Sequence, residues 1–177
     1  MSRLANVPIK IPSSVTVTVE NKSLSISNGK VTEKWALHSA VNVALEDDSL
    51  VFTMKESDKK DAFCRAMLGT DYRHISNLVT GMAKPFETVL EIHGLGYRVK
   101  MSGNQLVLSL GKSHDDIVDI VSDVAVEMTG EKEIVCRSHS KKKLGDFVAE
   151  VCSKRRPDAY KAKGVRIRGV HYRTKSD

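Results

Sequence analysis

The chain is poor in aromatic side chains: one Trp, four Tyr and four Phe make up 5% of its 177 residues. With 41% of the sequence hydrophobic, the cores it builds must be aliphatic. No stretch approaches the roughly 20 apolar residues that a membrane span needs. The opening MSRLANVPIKIP holds no apolar run long enough for a secretory signal. Cysteine is scarce as well. Cys64, Cys136 and Cys152 are odd in number, widely spaced and set among apolar residues. They read as reduced core cysteines of a cytosolic protein, with neither a disulfide nor a zinc site.

A catalytic constellation is also missing. Gly94-x-Gly96 resembles the start of a dinucleotide loop, but Tyr97, Arg98 and Val99 stand where a third glycine and a helix are needed. It reads as a strand corner. His114, Asp115 and Asp116 read as a solvated loop, since adjacent strand residues face opposite ways and build no joint site. No nucleophile-elbow sequence accompanies the Ser, His and Asp residues. Trp35 and His74 read as core or boundary residues. The expectation is no enzyme, no metal, no cofactor, no small-molecule substrate and no membrane.

What is present is positive charge in one place. Residues 154–177, KRRPDAYKAKGVRIRGVHYRTKSD, hold nine Lys or Arg against two Asp. Removing them from the chain's 28 basic and 22 acidic residues leaves 19 against 20, a nearly neutral body with a cationic tail. Such a tail is the footprint of a polyanion partner, bound largely through counterion release. Pro157, Gly164 and Gly169 interrupt any amphipathic helix, which argues against a membrane surface. Arginine suits phosphate oxygens and stacks on bases. Tyr160 and Tyr172 interleave with the cations, as where exposed bases offer stacking faces. Val165, Ile167 and Gly169 alternate with Arg166 and Arg168, so an extended run points both arginines to one face. The bland alternative is a solvated tail that keeps the protein soluble.

The sequence therefore nominates Arg155, Arg156, Lys161, Lys163, Arg166, Arg168 and Arg173 as cations of an RNA-binding tail. Tyr160 and Tyr172 are stacking candidates, and Gly164 is a point of close backbone approach. Lys141, Lys142 and Lys143 open a predicted helix, where cations oppose the macrodipole, and this favours phosphate contact. Arg65 and Arg73, eight residues apart on another predicted helix, are second-rank RNA candidates, with a solvent-facing pair as the alternative.

The body carries one pattern twice. Val15, Val17 and Val19 alternate, Asn21-Lys22 turns, Leu24 and Ile26 alternate, and Gly29-Lys30 ends the run. Tyr97, Val99, Met101, Gly103-Asn104, Leu106, Leu108 and Gly111-Lys112 repeat it at a constant offset of about 82 positions along the sequence. Both segments predict β-hairpins. Further strands are expected at Glu33–Leu37, Val41–Leu45, Leu50–Met54, Thr88–His93, Ile117–Val121, Val124–Met128 and Glu133–Arg137. Phe63, Met67, Ile75, Leu78, Val79 and Met82 predict a helix from about Lys59 to Leu78, with Asp58 as N-cap and Gly81 as stop signal. Leu144, Phe147, Val148, Val151 and Cys152 predict a second helix from about Lys141 to Ser153, capped by Ser138 or Ser140. The fold class is α+β: two tandem duplicated domains, 1–82 and 83–153, each an antiparallel sheet with one helix on a face. An extended basic tail, 154–177, follows the second.

Pro157-Asp158-Ala159-Tyr160-Lys161-Ala162-Lys163-Gly164-Val165 resembles the signature of the bacterial-type large-subunit ribosomal protein six family. Met1-Ser2-Arg3 with Pro8-Ile9 and Ile11-Pro12 is similar to its opening. Gly69-Thr70, Arg73, Asn77, Val79 and Gly81 are similar to its first helix. Gly94-Leu95-Gly96-Tyr97-Arg98 and Leu108-Ser109-Leu110-Gly111 are similar to the start of its second domain. The resemblance implies a structural constituent of the large subunit, located in the cytoplasm within the ribosome. It implies binding to large-subunit ribosomal RNA near the sarcin–ricin loop and the stalk base, with neighbouring ribosomal proteins in contact and translational GTPases docking nearby. Two departures stand out. Lys112 follows Leu110-Gly111, where the family often has an aromatic. Glu46-Asp47-Asp48 and Asp115-Asp116 make the body acidic and are expected to face solvent or protein.

A protein–protein adaptor with nonspecific RNA affinity is the alternative, and an RNA-processing enzyme is a third class. Salt separates the first two, because RNA binding weakens steeply as salt rises.

Overall fold

The computed structural model describes residues 7–20, 22–29, 31–46, 48–55 and 58–175. The expected turn residues Asn21 and Lys30, the acidic Asp47 and the opening Met1-Ser2-Arg3 lie outside the described residues. The chain divides into two compact units, Met1–Lys84 and Pro85–Asp177.

In the first unit, β1 (Ile9–Lys10), β2 (Thr16–Glu20), β3 (Ser23–Ser27), β4 (Thr32–Ala36), β5 (Val41–Glu46) and β6 (Ser49–Met54) precede helix α1 (Ala62–Ala83). The strands form two three-stranded antiparallel sheets, ordered β2-β3-β4 and β1-β6-β5. The second unit repeats the plan with β7 (Phe86–His93), β8 (Arg98–Ser102), β9 (Gln105–Ser109), β10 (Asp116–Asp119), β11 (Ala125–Met128), β12 (Glu133–Ser138) and helix α2 (Lys141–Lys154). Its hairpin sheet is ordered β10-β9-β8. Its other sheet has a fourth strand, β13 (Gly164–Ile167), giving β11-β12-β7-β13. Where one sheet per domain was expected, the strands of each unit divide between two.

The duplication is visible in register. Val17 lies opposite Ile26 and Glu20 opposite Ser23. Val99 lies opposite Leu108 and Ser102 opposite Gln105. Each pair of the second hairpin sits 82 positions beyond its counterpart in the first. A two-residue turn and one buried face leave no freedom to slip, because a one-residue shift would turn every apolar side chain outward.

The helices begin where side chains can satisfy free amides. Asp61, not Asp58, caps α1, accepting from the Phe63 amide at 3.0 Å. Asp58–Lys60 form a short 3-10 turn ahead of it. Gly81 does not stop the helix but is buried inside it. The chain leaves the helix at Lys84, the residue before Pro85, whose ring disfavours helical geometry there. Ser140 caps α2, accepting from the Lys143 amide at 3.4 Å.

Each helix buries an aliphatic stripe. Leu68, Ile75, Leu78, Val79 and Met82 of α1 join Leu24, Ile26 and Leu50 in the first core. Leu144, Phe147, Val148 and Val151 of α2 join Leu90, Leu106, Leu108, Ile134 and Val165 in the second. Phe63, expected on the apolar face of α1, is 61% exposed and meets the His38 ring edge-on. Trp35 stacks on His74 at 4.0 Å and donates Nε1–H to the buried carboxylate of Asp71, which also accepts from the His38 amide. These contacts make Trp35 and His74 structural.

Candidate nucleic-acid interface

The cationic segment does not trail away from the second unit. It is built into it. After α2 ends, the chain bends at Arg155, and Asp158 closes a turn over 159–161. The Asp158 carboxylate accepts the amides of Tyr160 and Lys161, each at 3.2 Å, and its own amide donates to the Lys163 carbonyl at 2.9 Å. Those two donors hold its pKa below the ordinary 3.8, the Lys161 amide foremost. The loop leads into β13, which pairs antiparallel with β7, placing Gly164 opposite His93 and Ile167 opposite Leu90. Val165 is fully buried on the core side. Ile167 packs partly buried against the same core, but the strand ends there, so the expected alternation holds for Val165 and Ile167 alone and Arg168 and Gly169 lie beyond it.

Several nominated residues turn out to hold this segment in place. A Cβ at Gly164 would stand 2.7 Å from the Arg156 carbonyl oxygen and 2.8 Å from that of Arg155, and its φ is +147°. The close approach that requires glycine is thus to the chain's own backbone. Arg166 turns inward, its Nε donating to the Ala162 carbonyl at 2.6 Å and one Nη to the Lys161 carbonyl at 3.3 Å. That grip steadies Ala162, whose φ of +47° lies in the left-handed region. The Tyr172 hydroxyl accepts from the Ile167 amide at 3.0 Å, and its ring lies under the Arg166 guanidinium. Arg168 bridges Glu91 and Glu133, at 2.5 Å to each. Pairing raises the Arg168 pKa and, with a smaller contribution from His93, lowers that of Glu91. Sequence pattern could not reveal this pairing, because Glu91 and Glu133 lie far away along the chain.

The other cations face outward. Arg155, Arg156, Lys161, Lys163 and Arg173 are exposed and form no ion pair among the described residues. Tyr97, Lys154, Arg155, Arg156, Asp158 and Lys163 line a cleft of about 470 Å³. Lys154 also lies 3.7 Å from the Glu150 carboxylate, so Arg155, Arg156 and Lys163 are the cleft cations without an ion pair among the described residues, set around one carboxylate already engaged by amides, which is the electrostatics of an anion receptor. Neither Lys154 nor Tyr97 was nominated from sequence as a site residue. Lys154 ends a helix and Tyr97 sits almost sixty residues upstream of it, so only the fold brings them together. Tyr160 is 62% exposed, with Lys175 Nζ 5.0 Å from its ring centre.

The helix-opening lysines divide. Lys143 pairs with Asp123 at 2.8 Å, and Lys141 lies over the Phe86 ring at 5.8 Å. Lys142 is exposed. An acidic partner and an aromatic face thus offset the macrodipole conflict read from sequence. Arg65 and Arg73 lie on α1 in the first unit, half-buried and exposed respectively. Of the expected solvated loop, Asp116 instead opens β10 with a side chain only 13% exposed, paired with Lys112 at 2.8 Å, while Asp115 accepts from Ser109 at 2.7 Å. Lys112 thus has a local partner that an aromatic would lack.

Chemistry beyond binding is thinly supplied. Among the described residues no group of three or more His, Cys, Asp or Glu could hold a metal ion, and no helix is long and apolar enough to cross a membrane. The three cysteines are free, and burial pushes the Cys136 thiol up to about 12.

Comparison with known proteins points one way. Residues 93–167 match the family model described as Ribosomal protein L6. The large ribosomal subunit protein uL6 of Cellvibrio japonicus is 40% identical over 166 residues, covering 94% of this chain and 92% of that protein. Those of Hahella chejuensis and Halalkalibacterium halodurans are 38% and 37% identical, each covering 99% of this chain and 97% of the relative.

Proposed function

This chain belongs to the uL6 family of large-subunit ribosomal proteins, and from that premise we propose that its second unit grips large-subunit ribosomal RNA near the sarcin–ricin loop, beside the stalk base where translational GTPases dock. Family membership makes the protein a structural constituent of the cytoplasmic large subunit, not an enzyme, with ribosomal RNA and other ribosomal proteins as its partners. The cleft ringed by Lys154, Arg155, Arg156 and Lys163 is the observation that carries the finer reading. Lys161, Arg173 and Lys142 are further exposed cations of the same unit, and Tyr160 offers a ring to an exposed base. Arg166, Arg168, Tyr172 and Gly164 support the reading indirectly, by fixing the backbone from which those cations project. Folded RNA presents phosphates in a fixed three-dimensional array, so a rigid cationic surface selects shape in preference to base sequence.

Truncation before the cationic segment would not test this cleanly, because it removes β13 and exposes the edge of β7. The better experiment keeps the full chain and replaces Arg155, Arg156, Lys161 and Lys163 with Gln. Binding to a large-subunit RNA segment containing the sarcin–ricin loop, and to a scrambled RNA of equal length, is then followed across a salt series. A control variant replaces Lys10, Lys22, Lys55 and Lys84 of the first unit. The expected result is native-RNA preference in the parent and control. The cleft variant should bind weakly, its log–log salt slope reduced by about 0.7–0.9 per lost phosphate contact. An unchanged slope in the cleft variant removes the cleft from the interface, and an equal preference for both RNAs favours the adaptor reading.

A further inference from the structure

Leu95 is 95% exposed, far beyond the other large exposed apolar residues among those described, of which none exceeds 62%. Scattered surface leucines are ordinary and mean little. This one differs in how it is held. It stands at the tip of a corner between Gly94 and Gly96, and Gly96 has a φ of +73°. The Tyr97 ring occupies the space a side chain at Gly94 would need, 2.3 Å from the position of its Cβ. The same ring comes within 2.8 Å of the Cβ position at Gly111. Tyr97 is itself buried, so the corner is clamped from below and Leu95 cannot fold back onto the core.

The corner also sits beside the charge. It follows His93, which pairs with Gly164 at the start of β13. Tyr97 lines the cleft with Lys154, Arg155, Arg156 and Lys163. On the other flank, Gly94 lines a smaller hollow of about 320 Å³ with Lys132 and His93, whose carboxylates Glu91 and Glu133 are both taken by Arg168. A protruding apolar tip on a rigid corner, set next to a cationic cleft, matches the way nucleic-acid-binding proteins use wedges. Phosphates drawn to the cleft bring bases within reach, and an unpaired base offers an apolar face with no hydrogen bond to lose. A protein partner would have to match an apolar knob within a cationic surround, and the charge favours RNA.

We infer that Leu95 is an apolar wedge that packs on the face of an unpaired nucleobase when RNA occupies the cleft. The inference rests on the RNA-binding reading given above and adds a contact that is insensitive to salt. Leu95→Ser in the full chain should leave the melting temperature unchanged, because the side chain has almost nothing to lose on the protein. Its Kd for the sarcin–ricin-containing RNA should rise about tenfold, the scale set by burying most of a leucine. The log–log salt slope should match the parent's, unlike that of the Gln-substituted cleft. Photo-leucine at position 95 should crosslink to a base in the same complex. An unchanged Kd for Leu95→Ser overturns the inference, as does a crosslink confined to ribose or, in assembled subunits, to a neighbouring protein. If the parent chain itself shows no preference for the native RNA, the RNA-binding reading fails first and this contact with it.

Discussion

The two units share a hairpin in the same register and a helix laid over an aliphatic core, yet only the second carries the cationic segment. Val17–Ile26 and Val99–Leu108 are the same pairing displaced along the chain. What differs is attached afterwards. The sheet β1-β6-β5 has three strands, whereas β11-β12-β7-β13 has four. The added strand serves as a mount, holding charges on a surface that the first unit does not build. The two units are similar frames, and the cationic segment is appended to one of them. The comparison predicts that matched damage to the frames should be alike in stability and unlike in binding.

The largest effects test that statement directly. Leu24 and Leu106 occupy equivalent positions, and both are fully buried. Leu24→Ala and Leu106→Ala should each destabilise their unit by about 2–5 kcal/mol, measured by denaturant unfolding. Only Leu106→Ala should then weaken RNA binding at temperatures near the transition. Equal loss of binding in both variants would mean that the first unit is also part of the interface.

Next comes Gly164→Ala, for which the first unit has no counterpart. The added methyl would collide with two carbonyls, and the φ of +147° is unfavourable to any side chain. A cost of about 1–3 kcal/mol is expected, expressed as loosening of β13 from the Arg155-Arg156 backbone it packs against. Amide exchange should therefore quicken at Val165, whose N–H donates to the Arg155 carbonyl at 3.0 Å, while α1 is untouched. RNA affinity should fall although no cation has been removed. Unaltered affinity would show that the cations act without the strand that presents them.

The frames were legible in the sequence because hairpins and amphipathic helices declare themselves through local periodicity. Local chemistry narrowed the second cap to Ser138 or Ser140, and the fold chose Ser140. The tail was legible in its composition and in the alternation of Val165 and Ile167, but not in its attachment. Pairing between β13 and β7 joins residues more than seventy positions apart, and no local pattern records the partner. The same limit explains the site. Charge identified the segment, but which cations are free depends on acceptors that folding supplies: the Ala162 carbonyl for Arg166, Glu91 and Glu133 for Arg168, and Asp123 for Lys143. Asp61 was overlooked in favour of Asp58 because both precede the helical run and only the backbone path chooses between them.

Acid offers a gentler comparison. Asp158 in the second unit and Asp61 in the first both have carboxyls held below 3.8, the former by backbone amides and the latter chiefly by the Cys64 thiol. A depressed folded pKa contributes stability that is present above the ordinary value and lost as pH falls through the folded one. Neither loop should respond between pH 7 and about 5, and both should loosen below about 4. The Lys161 amide resonance should report this with a midpoint under 3.8. Asp158→Asn should abolish that transition, since the amide oxygen still accepts but no longer titrates, and should leave the Phe63 amide titrating with Asp61. A midpoint at or above the ordinary value would mean that the Asp158 loop is open in solution.

The smallest effect separates two arginines that composition treats alike. Arg156 lines the cleft and projects into solvent, whereas Arg168 bridges two carboxylates in an exposed network. Exposed ion pairs contribute little to stability, so Arg168→Gln should hardly move the melting temperature. A cation already neutralised by two acids has few counterions of its own to displace from RNA, so the salt slope should also stay near the parent's. Arg156→Gln should lower that slope by about 0.7–0.9, the yield of one phosphate contact. If Arg168→Gln flattens the slope as much, RNA must draw Arg168 away from Glu91 and Glu133 on binding. The surface would then reorganise around its ligand, and the free cations of the unbound protein would understate the interface.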